Sequence, residues 1–389
     1  MKTLWTIILM VFATLLYADT NNSFQFYLDE TGNTITHSDF SHLPAFNFND
    51  IQNRFLTLEC LVEPRLTSEV EAYLRSYLTY GYRDTERIIG RSSLYFPIIE
   101  HYLQTMNLPD ELKYLPVIES SLRPYATSTV GAAGLWQFMR GTAYDNGLTV
   151  NSTLDERRDP YKSTKAALEL LSNLYNKYGT WEMALAAYNC GPGNVNKAIR
   201  RAGGVKNFWT IRKYLPRETQ RYVPRFIAAT YTIKNYYHHG ISPKWPDFDR
   251  QWTRTTKVYD AITFSKLIKN TGVSLSVLKE LNPSYQKGYL PNNPSGNFLI
   301  LPESAMLSFQ TTTANANANA NAKQYEHGKY YKRNYTVLIG DTLEKLANMY
   351  NCSVHQIMKW NNLKDENLYY RQELILYHKK GNKWNLPRA

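Results

Sequence analysis

Residues 115–124 read LPVIESSLRP, and this stretch decides what kind of domain surrounds it. One carboxylate, Glu119, closes an apolar run. Leu112, Leu115 and Glu119 are spaced i, i+3, i+7, so on a helix they share one stripe, the stripe that faces a core. An ionised carboxylate there is costly unless it is paired, hydrogen-bonded or kept protonated. Glu119 is therefore either a buried structural acid or a group whose raised pKa is used.

Helical spacing extends from this stretch in both directions. Upstream, Val70, Leu74, Tyr77 and Leu78 share a face, Ile88 and Ile89 start another, and Phe96, Ile99 and Leu103 continue it, which predicts two or three helices. Downstream, DPYKSTKAALELLSNLYNKYG opens at Asp159 and Pro160, carries the stripe Ala167, Leu170, Leu171 and Leu174, and closes at Gly179. TWEMALAAYN follows, capped by Thr180 and ended by GPG at 191–193. NVNKAIRRAGG is a short helix stopped by two glycines. ETQRYVPRFIAATYTIKNYY is another, with Pro224 tolerated in a first turn. No comparable run of alternating strands interrupts residues 66–238, so this block is α-rich.

The pattern changes after Pro243. Short β-like runs (KVYDAITF, NFLILP) flank helical ones within 257–302, and TTTANANANANAKQ at 311–324 has almost nothing to bury and reads as a linker. Beyond it, DTLEKLANMYNCSVHQIMKWN aligns with ITFSKLIKNTGVSLSVLKELN. Both carry an aliphatic pair, a turn, Ser-x-x-x-(Ile/Leu) and a terminal Asn. The order is strand, helix, helix, strand in a repeated module of about 45 residues.

The bulk numbers bound the function. A chain of 389 residues is too long for one ordinary domain. Its 45 Lys+Arg against 33 Asp+Glu leave a net charge of +12, which suits an anionic polymer as partner. No zinc-finger spacing or basic-aromatic signature favours nucleic acid. The opening MKTLWTIILMVFATLLYADT has a basic residue, an apolar run and a small Ala18, and reads as a signal peptide cleaved after Ala18 or, if retained, as a membrane anchor. Cys60, Cys190 and Cys352 are scattered, lack metal-ligand spacing and allow at most one disulfide. The reading is of small buried residues.

Three segments, ESSLRPYATSTVGAAGLWQFM (119–139), ALAAYNCGPGNVNKAI (184–199) and ETQRYVPRFIAAT (218–230), resemble the signature of lytic murein transglycosylases with a lysozyme-like fold. The repeated C-terminal modules look like LysM domains, which bind N-acetylglucosamine polymers. The combination is similar to the membrane-bound D type of that family and covers about two-thirds of the chain. The resemblance implies a mainly α fold: a lysozyme-like helical catalytic domain followed by two small α+β (βααβ) modules. The expected parts are a signal peptide 1–18, a mostly helical extension 19–100, a transglycosylase domain 101–242, a degenerate LysM-like module 257–303, a low-complexity linker 304–334 and a LysM module 335–379.

The resemblance also implies a chemistry. Glu119 matches the catalytic acid, which would cleave the MurNAc-β-1,4-GlcNAc bond without water and leave 1,6-anhydromuramic ends. Ser120 would position the glycan or the loop, with a local backbone bond as the alternative. Gln137 is an amide suited to sugar hydroxyls or the acetamido group. Tyr188 and Asn189 match an AYN pair, and Asn189 would bond the acetamido group or the acid, or cap its helix. Tyr222 would hydrogen-bond Glu119, or be a core tyrosine. Trp136 stands where Met is frequent and serves a sugar ring or the core; Phe138 and Met139 read as core. Cys190 replaces the usual Ala. Glu218 reads as structural, paired with an Arg. His238 and His239 read as groups set against helix-end carbonyls rather than metal ligands. No cofactor or metal is implied. The expected partner is the glycan strand of peptidoglycan, and the expected location is the periplasm or cell envelope. In the first module, AITF stands where GDTL is expected and Pro283 follows Asn282. In the second, Arg371 replaces a usual Gly or Lys. A goose-lysozyme-like hydrolytic muramidase, with Asp145, Asp155 or Glu182 as second carboxylate, and a non-catalytic wall-binding protein remain the alternatives.

Overall fold

A computed structural model describes residues 27–28, 34–35, 46–251, 253–316, 330–337, 342–350, 352–369 and 372–379. The expected signal peptide lies outside the described residues, as do Gly340, Asp341 and Arg371. Two short strands, β1 (Tyr27–Leu28) and β2 (Thr34–Ile35), pair antiparallel. The helical body starts with α1 (Phe48–Phe55), α2 (Ser68–Leu78) and α3 (Tyr82–Thr105). A 3₁₀ turn at Asp110–Tyr114 leads into α4 (Leu115–Ser120), and α5 (Arg140–Asp145) follows. The body is completed by α6 (Pro160–Tyr178), α7 (Trp181–Arg201), α8 (Phe208–Ile211) and α9 (Arg217–Asn235).

Local signals account for most of these boundaries. Thr67 caps α2 through the Val70 amide and Thr180 caps α7 through the Met183 amide. Asp159 takes the first amides of α6, Pro160 occupies its first position, and Gly179 ends it at φ 82°. Gly191, at φ 82° and ψ 151°, divides α7 where the GPG was expected to stop it.

The boundary expected at residue 100 is corrected. It falls inside α3, and one hydrophobic core runs from Ile51 on α1 to Ile241 beyond α9. Leu74, Ile89, Leu115, Leu171 and Phe226 belong to that same core, so the segment from 46 to 100 is part of the helical body rather than an appendage. Helix α2 packs along α9, the helix that carries Tyr222. Pro224 is also corrected, because it sits in the interior of α9 and not in its first turn. A proline there cannot donate to the carbonyl four residues back, that of Gln220. The Arg212 guanidinium fills the gap, donating from Nε to Gln220 O at 2.6 Å while Nη2 holds Glu69 of α2 at 2.7 Å.

After α10 (Phe248–Gln251) the first module runs β3 (Thr253–Val258), β4 (Ile262–Thr263), α11 (Phe264–Thr271), α12 (Leu275–Leu281), β5 (Tyr289–Leu290), β6 (Asn297–Pro302) and α13 (Glu303–Ala316). Strands β3 and β6 pair antiparallel, with Thr253 opposite Pro302 and Val258 opposite Asn297. The linker expected from 304 is corrected at its start: Ala305, Met306 and Phe309 of α13 are buried in the module's own core. The second module runs β7 (Tyr330–Thr336), α14 (Leu343–Tyr350), α15 (Val354–Trp360) and β8 (Glu373–Lys379), with β7 and β8 antiparallel.

The repeat is structural down to single side chains. Ser274 caps α12 and Ser353 caps α15. The terminal asparagines do one job. Asn282 donates to Ile300 O at 2.7 Å and accepts from Ile300 N at 2.8 Å, pinning the end of α12 to β6. Asn361 makes the same pair of bonds with Ile375 of β8.

Arg212→Met keeps the aliphatic stem but strands the Gln220 carbonyl and Glu69. It should cost about 1–3 kcal/mol. Thermal unfolding followed by far-ultraviolet circular dichroism should show the helical body melting several degrees lower, and an unchanged midpoint would remove Arg212 from the account of α9.

Candidate active site

Helix α4 is only six residues long, and its end is set by backbone rather than by a glycine. Ser121 and Leu122 both take left-handed conformations, φ 53° and 58°, and Arg91 Nε holds the Ser121 carbonyl at 2.8 Å. This abrupt stop places Glu119 in the last turn. Leu115, Pro116, Val117 and Ile118 before it are all buried, and Glu119 keeps part of its surface open.

Tyr222 of α9 donates its phenol proton to Glu119 Oε1. Arg225 lies one turn further along the same face of α9. Its guanidinium acts on Glu119 across space while bonding Tyr77 of α2. Burial pushes the Glu119 carboxyl up to about 7 from an ordinary 4.5; the Tyr222 bond and the Arg225 charge pull it down, and the Glu218 charge pushes it up. Enclosure therefore outweighs the two groups that favour the ionised form.

A second wall comes from the stretch 131–138, which folds back on itself through an Ala133–Phe138 bridge. Gly134, at φ 87°, lies against the Arg157 carbonyl so closely that a Cβ would stand 1.7 Å from that oxygen. Only glycine fits there. Gln137 adopts a left-handed backbone, φ 49°, and its amide donates to Gly134 O at 2.8 Å. A non-glycine residue held in that region is strained, a pattern that clusters at functional sites.

The expected site residues divide by position. Tyr222 is hydrogen-bonded to Glu119, and Tyr188 is close enough for the Glu119 charge to act on its phenol. Tyr188 itself donates to Trp136 O at 2.7 Å, tying α7 to the 131–138 wall. Asn189 Oδ1 accepts from Thr219 Oγ1 at 2.7 Å, which leaves its amino group for other partners. Ser120 is buried, with its hydroxyl within bonding distance of Leu135 O at 2.9 Å and Pro116 O at 3.2 Å. The hydroxyl thus meets both the loop at Leu135 and the local backbone, where it also accepts from the Arg123 amide at 3.2 Å. Trp136 is fully buried and donates to Thr164 Oγ1 at 3.0 Å, so it belongs to the core. Met139, expected in the core, is corrected: it is 45% exposed.

The other candidates have other employment. Asp155 is buried against Arg157, Asp145 is exposed, and Glu182 accepts from the Glu63 amide at 3.4 Å. The charges acting on Glu119 are those of Arg225 and Glu218, not of these three. Glu218 is exposed rather than set in a structural pair. His239 is buried, shares a contact with Tyr231 at 3.1 Å and is held down to about 4 by burial, so it stays neutral. Among the described residues no group of three or more His, Cys, Asp and Glu could hold a metal ion, the three cysteines are free thiols, and no helix is long and apolar enough to cross a membrane. Arg225, Tyr77 and Thr219 were missed from sequence. The signals were there for two of them: Arg225 follows Tyr222 at i+3, and Thr219 precedes it at i−3, which puts all three on one face.

A transglycosylase SLT domain is matched at 96–209, the LysM-like domain of the lytic transglycosylase MltD at 252–318, and a LysM domain at 335–376. The membrane-bound lytic murein transglycosylase D of Escherichia coli strain K12 is 30% identical over 320 residues, 80% of this chain and 68% of that protein. The soluble lytic murein transglycosylase of Salmonella typhimurium is 31% identical over 144 residues, 35% of this chain and 22% of its own. The solved 70 kDa soluble lytic transglycosylase of E. coli overlaps 37% of this chain and 24% of its own at 25% identity, with a TM-score of 0.32. Helical body, enclosed acid and matched domain together define a peptidoglycan lytic transglycosylase. The chain belongs to the membrane-bound lytic murein transglycosylase D family.

The carboxyl of Glu119 is acid-competent below about pH 7 and ionised above it. Tyr222→Phe removes a bond that favours the charged form, so its titration should move to higher pH. Glu218→Gln removes a like charge and should move it to lower pH. Carbon-detected NMR titration of the Glu119 carboxyl checks both, and a shift of either variant in the opposite direction would refute the balance described above.

Proposed function

We propose that the protein cuts the MurNAc-β-1,4-GlcNAc bond of peptidoglycan without water, with Glu119 as general acid and then general base. The observation that carries this reading is the enclosed carboxyl that holds its proton to about pH 7 beside a phenol, with the nearest other acting carboxylate, Glu218, exposed. Most glycosidases flank the bond with two carboxylates, one to protonate the leaving oxygen and one to activate water or attack carbon. One suffices if the substrate supplies the rest, and muramic acid does: an acetamido carbonyl to stabilise the cation at C1, and a C6 hydroxyl to close on it.

The steps balance on one proton. Neutral Glu119 gives its proton to the glycosidic oxygen as the C1–O bond breaks. The resulting carboxylate takes the proton of the C6 hydroxyl as the new C1–O6 bond forms. The product is a 1,6-anhydromuramic end, and Glu119 returns to its starting state. Tyr222 stabilises the transient carboxylate by donating to it. Asn189, its oxygen occupied by Thr219, turns its amino group to the acetamido carbonyl. Gln137 and Tyr188 line the glycan's path. Ser120 contributes by holding the loop rather than by touching sugar.

The LysM modules act as tethers on N-acetylglucosamine-containing polymer and raise the local concentration of strands at the cleft. The second module is the binding one, since its GDTL and WNNL segments keep the pattern that the first has lost. The +12 charge favours the anionic wall. The apolar N-terminal segment implies export to the periplasm or cell envelope, with membrane attachment if it is retained.

Glu119→Gln should lower glycan release by at least about a hundredfold, the low end for loss of a general acid. Mass spectrometry of digested murein should find fragment ends lighter by one water. Reducing ends instead would mean a hydrolase of the same fold, and undiminished turnover in the variant would leave Glu119 without a role. Deleting 335–389 should weaken binding to whole sacculi while cleavage of soluble fragments continues; undiminished binding would end the tethering role of the second module.

A further inference from the structure

We propose that the first module, residues 253–316, is a brace for the catalytic groove, gripping the loop 149–158 that holds the 131–138 wall. The grip is a shared core. Leu154 belongs by sequence to the catalytic body, yet its side chain is buried in the module's core with Phe264, Leu267 and Tyr285. Main-chain bonds run on either side of it. Asp155 N donates to Ser284 O at 2.9 Å and Gln286 N donates to Thr153 O at 2.9 Å, so Leu154 and Tyr285 pair as a short antiparallel ladder. A second contact lies on α6: Thr255 Oγ1 donates to Tyr161 Oη at 2.9 Å, and the Tyr161 ring tilts against Phe298 at 5.6 Å.

The next residues transmit this hold to the groove. The Asp155 carboxylate accepts two bonds from Arg157, from Nε and Nη2, both at 2.8 Å, and these side chains are only 8% and 7% exposed. The third nitrogen, Arg157 Nη1, donates to Gly131 O at 2.8 Å and Phe138 O at 3.1 Å, the two ends of the wall. The Arg157 carbonyl meets Gly134 in the middle, and Arg158 Nη2 donates to Thr127 Oγ1 at 2.6 Å just upstream. On its other side the wall bonds Ser120 through Leu135 O and Tyr188 through Trp136 O. Module, loop, buried ion pair, wall and acid thus form one connected series. Planar guanidinium geometry makes the middle link directional. Asp155 is a positioning residue, not a catalytic one. The module has AITF where the second copy has GDTL, and it presents a face that fits the catalytic body.

Full-length Leu154→Ala tests this, with Leu154→Met as the volume-conserving partner and Leu278→Ala as a cut in the same core on α12. Hydrogen exchange of residues 131–138 and kcat on soluble glycan fragments are read below the melting point of the module. The expected result is faster exchange across 131–138 and a kcat roughly tenfold lower in Leu154→Ala, since small misplacements of positioned groups carry losses of that order or more. Leu154→Met should restore both, and Leu278→Ala should leave both near wild type. Wild-type exchange in Leu154→Ala overturns the brace. So does an equal kcat loss in Leu278→Ala. The kcat arm rests on the wall's place in the groove proposed above, and the exchange arm does not. A loosened wall with undiminished kcat therefore overturns the functional link while leaving the role of Glu119 standing.

Discussion

A carboxylic acid that is to keep its proton near neutrality must be enclosed without a cation in contact with it. Those demands conflict, because the cheapest way to bury a carboxylate is to pair it. The chain meets them by spacing its charges. Arg225 approaches Glu119 but is bonded to Tyr77 of α2, and a neutral phenol, Tyr222, takes the place in contact with the acid. Burial then dominates and the proton stays to about pH 7. Move the guanidinium into contact and the acid would ionise; remove the enclosure and it would titrate as an ordinary glutamate.

This constraint explains the use made of the N-terminal helices. Helix α2 supplies the phenol that occupies Arg225, and it is tied to α9 again through the Glu69–Arg212 pair. The same arginine repairs the backbone gap left by Pro224. The carbonyl that Pro224 leaves without a helical donor is thus satisfied from outside, in the turn that carries Tyr222 and Arg225. The proton-holding site depends on residues more than a hundred positions upstream of α9.

What was legible in the sequence was whatever local chemistry decides. Asp159-Pro160 and Gly179 bound α6 because capping and proline geometry act within a turn. Glu119 was legible as an anomaly on an apolar stripe. The failures share a cause. The expected boundary at 100 followed a change in motif density, and packing ignores motifs: α3 runs straight through it. Alanine-rich TTTANANA looked like a linker, but Ala305, Met306 and Phe309 ahead of it anchor a helix whose burial is decided by its packing on α11 and on the β3–β6 pair. Ser120 and Trp136 carry groups that suit a sugar, and whether a hydroxyl or an indole faces groove or core is set by tertiary partners, here Leu135 O and Thr164.

The two modules show what a repeat retains when its copies diverge. Thr263 still caps α11 through the Lys266 amide, and Phe264 fills the buried position that Leu343 fills in the second copy. Asn282 keeps both bonds to Ile300 that Asn361 makes to Ile375, despite the proline that follows it. Each retained residue satisfies a buried backbone group or fills core volume, and losing it would cost the fold. In AITF, Ala261 and Ile262 stand in place of the Gly-Asp pair ahead of the cap, and Ile262 is buried in the first module's core. Next to Asn282, the Ser284–Tyr285–Gln286 segment is a docking edge for Leu154 and its neighbours. The two copies therefore share the positions that hold the module together, while Ile262, standing where the second copy has Asp341, adds core volume, and the 284–286 edge takes Leu154 of the helical body.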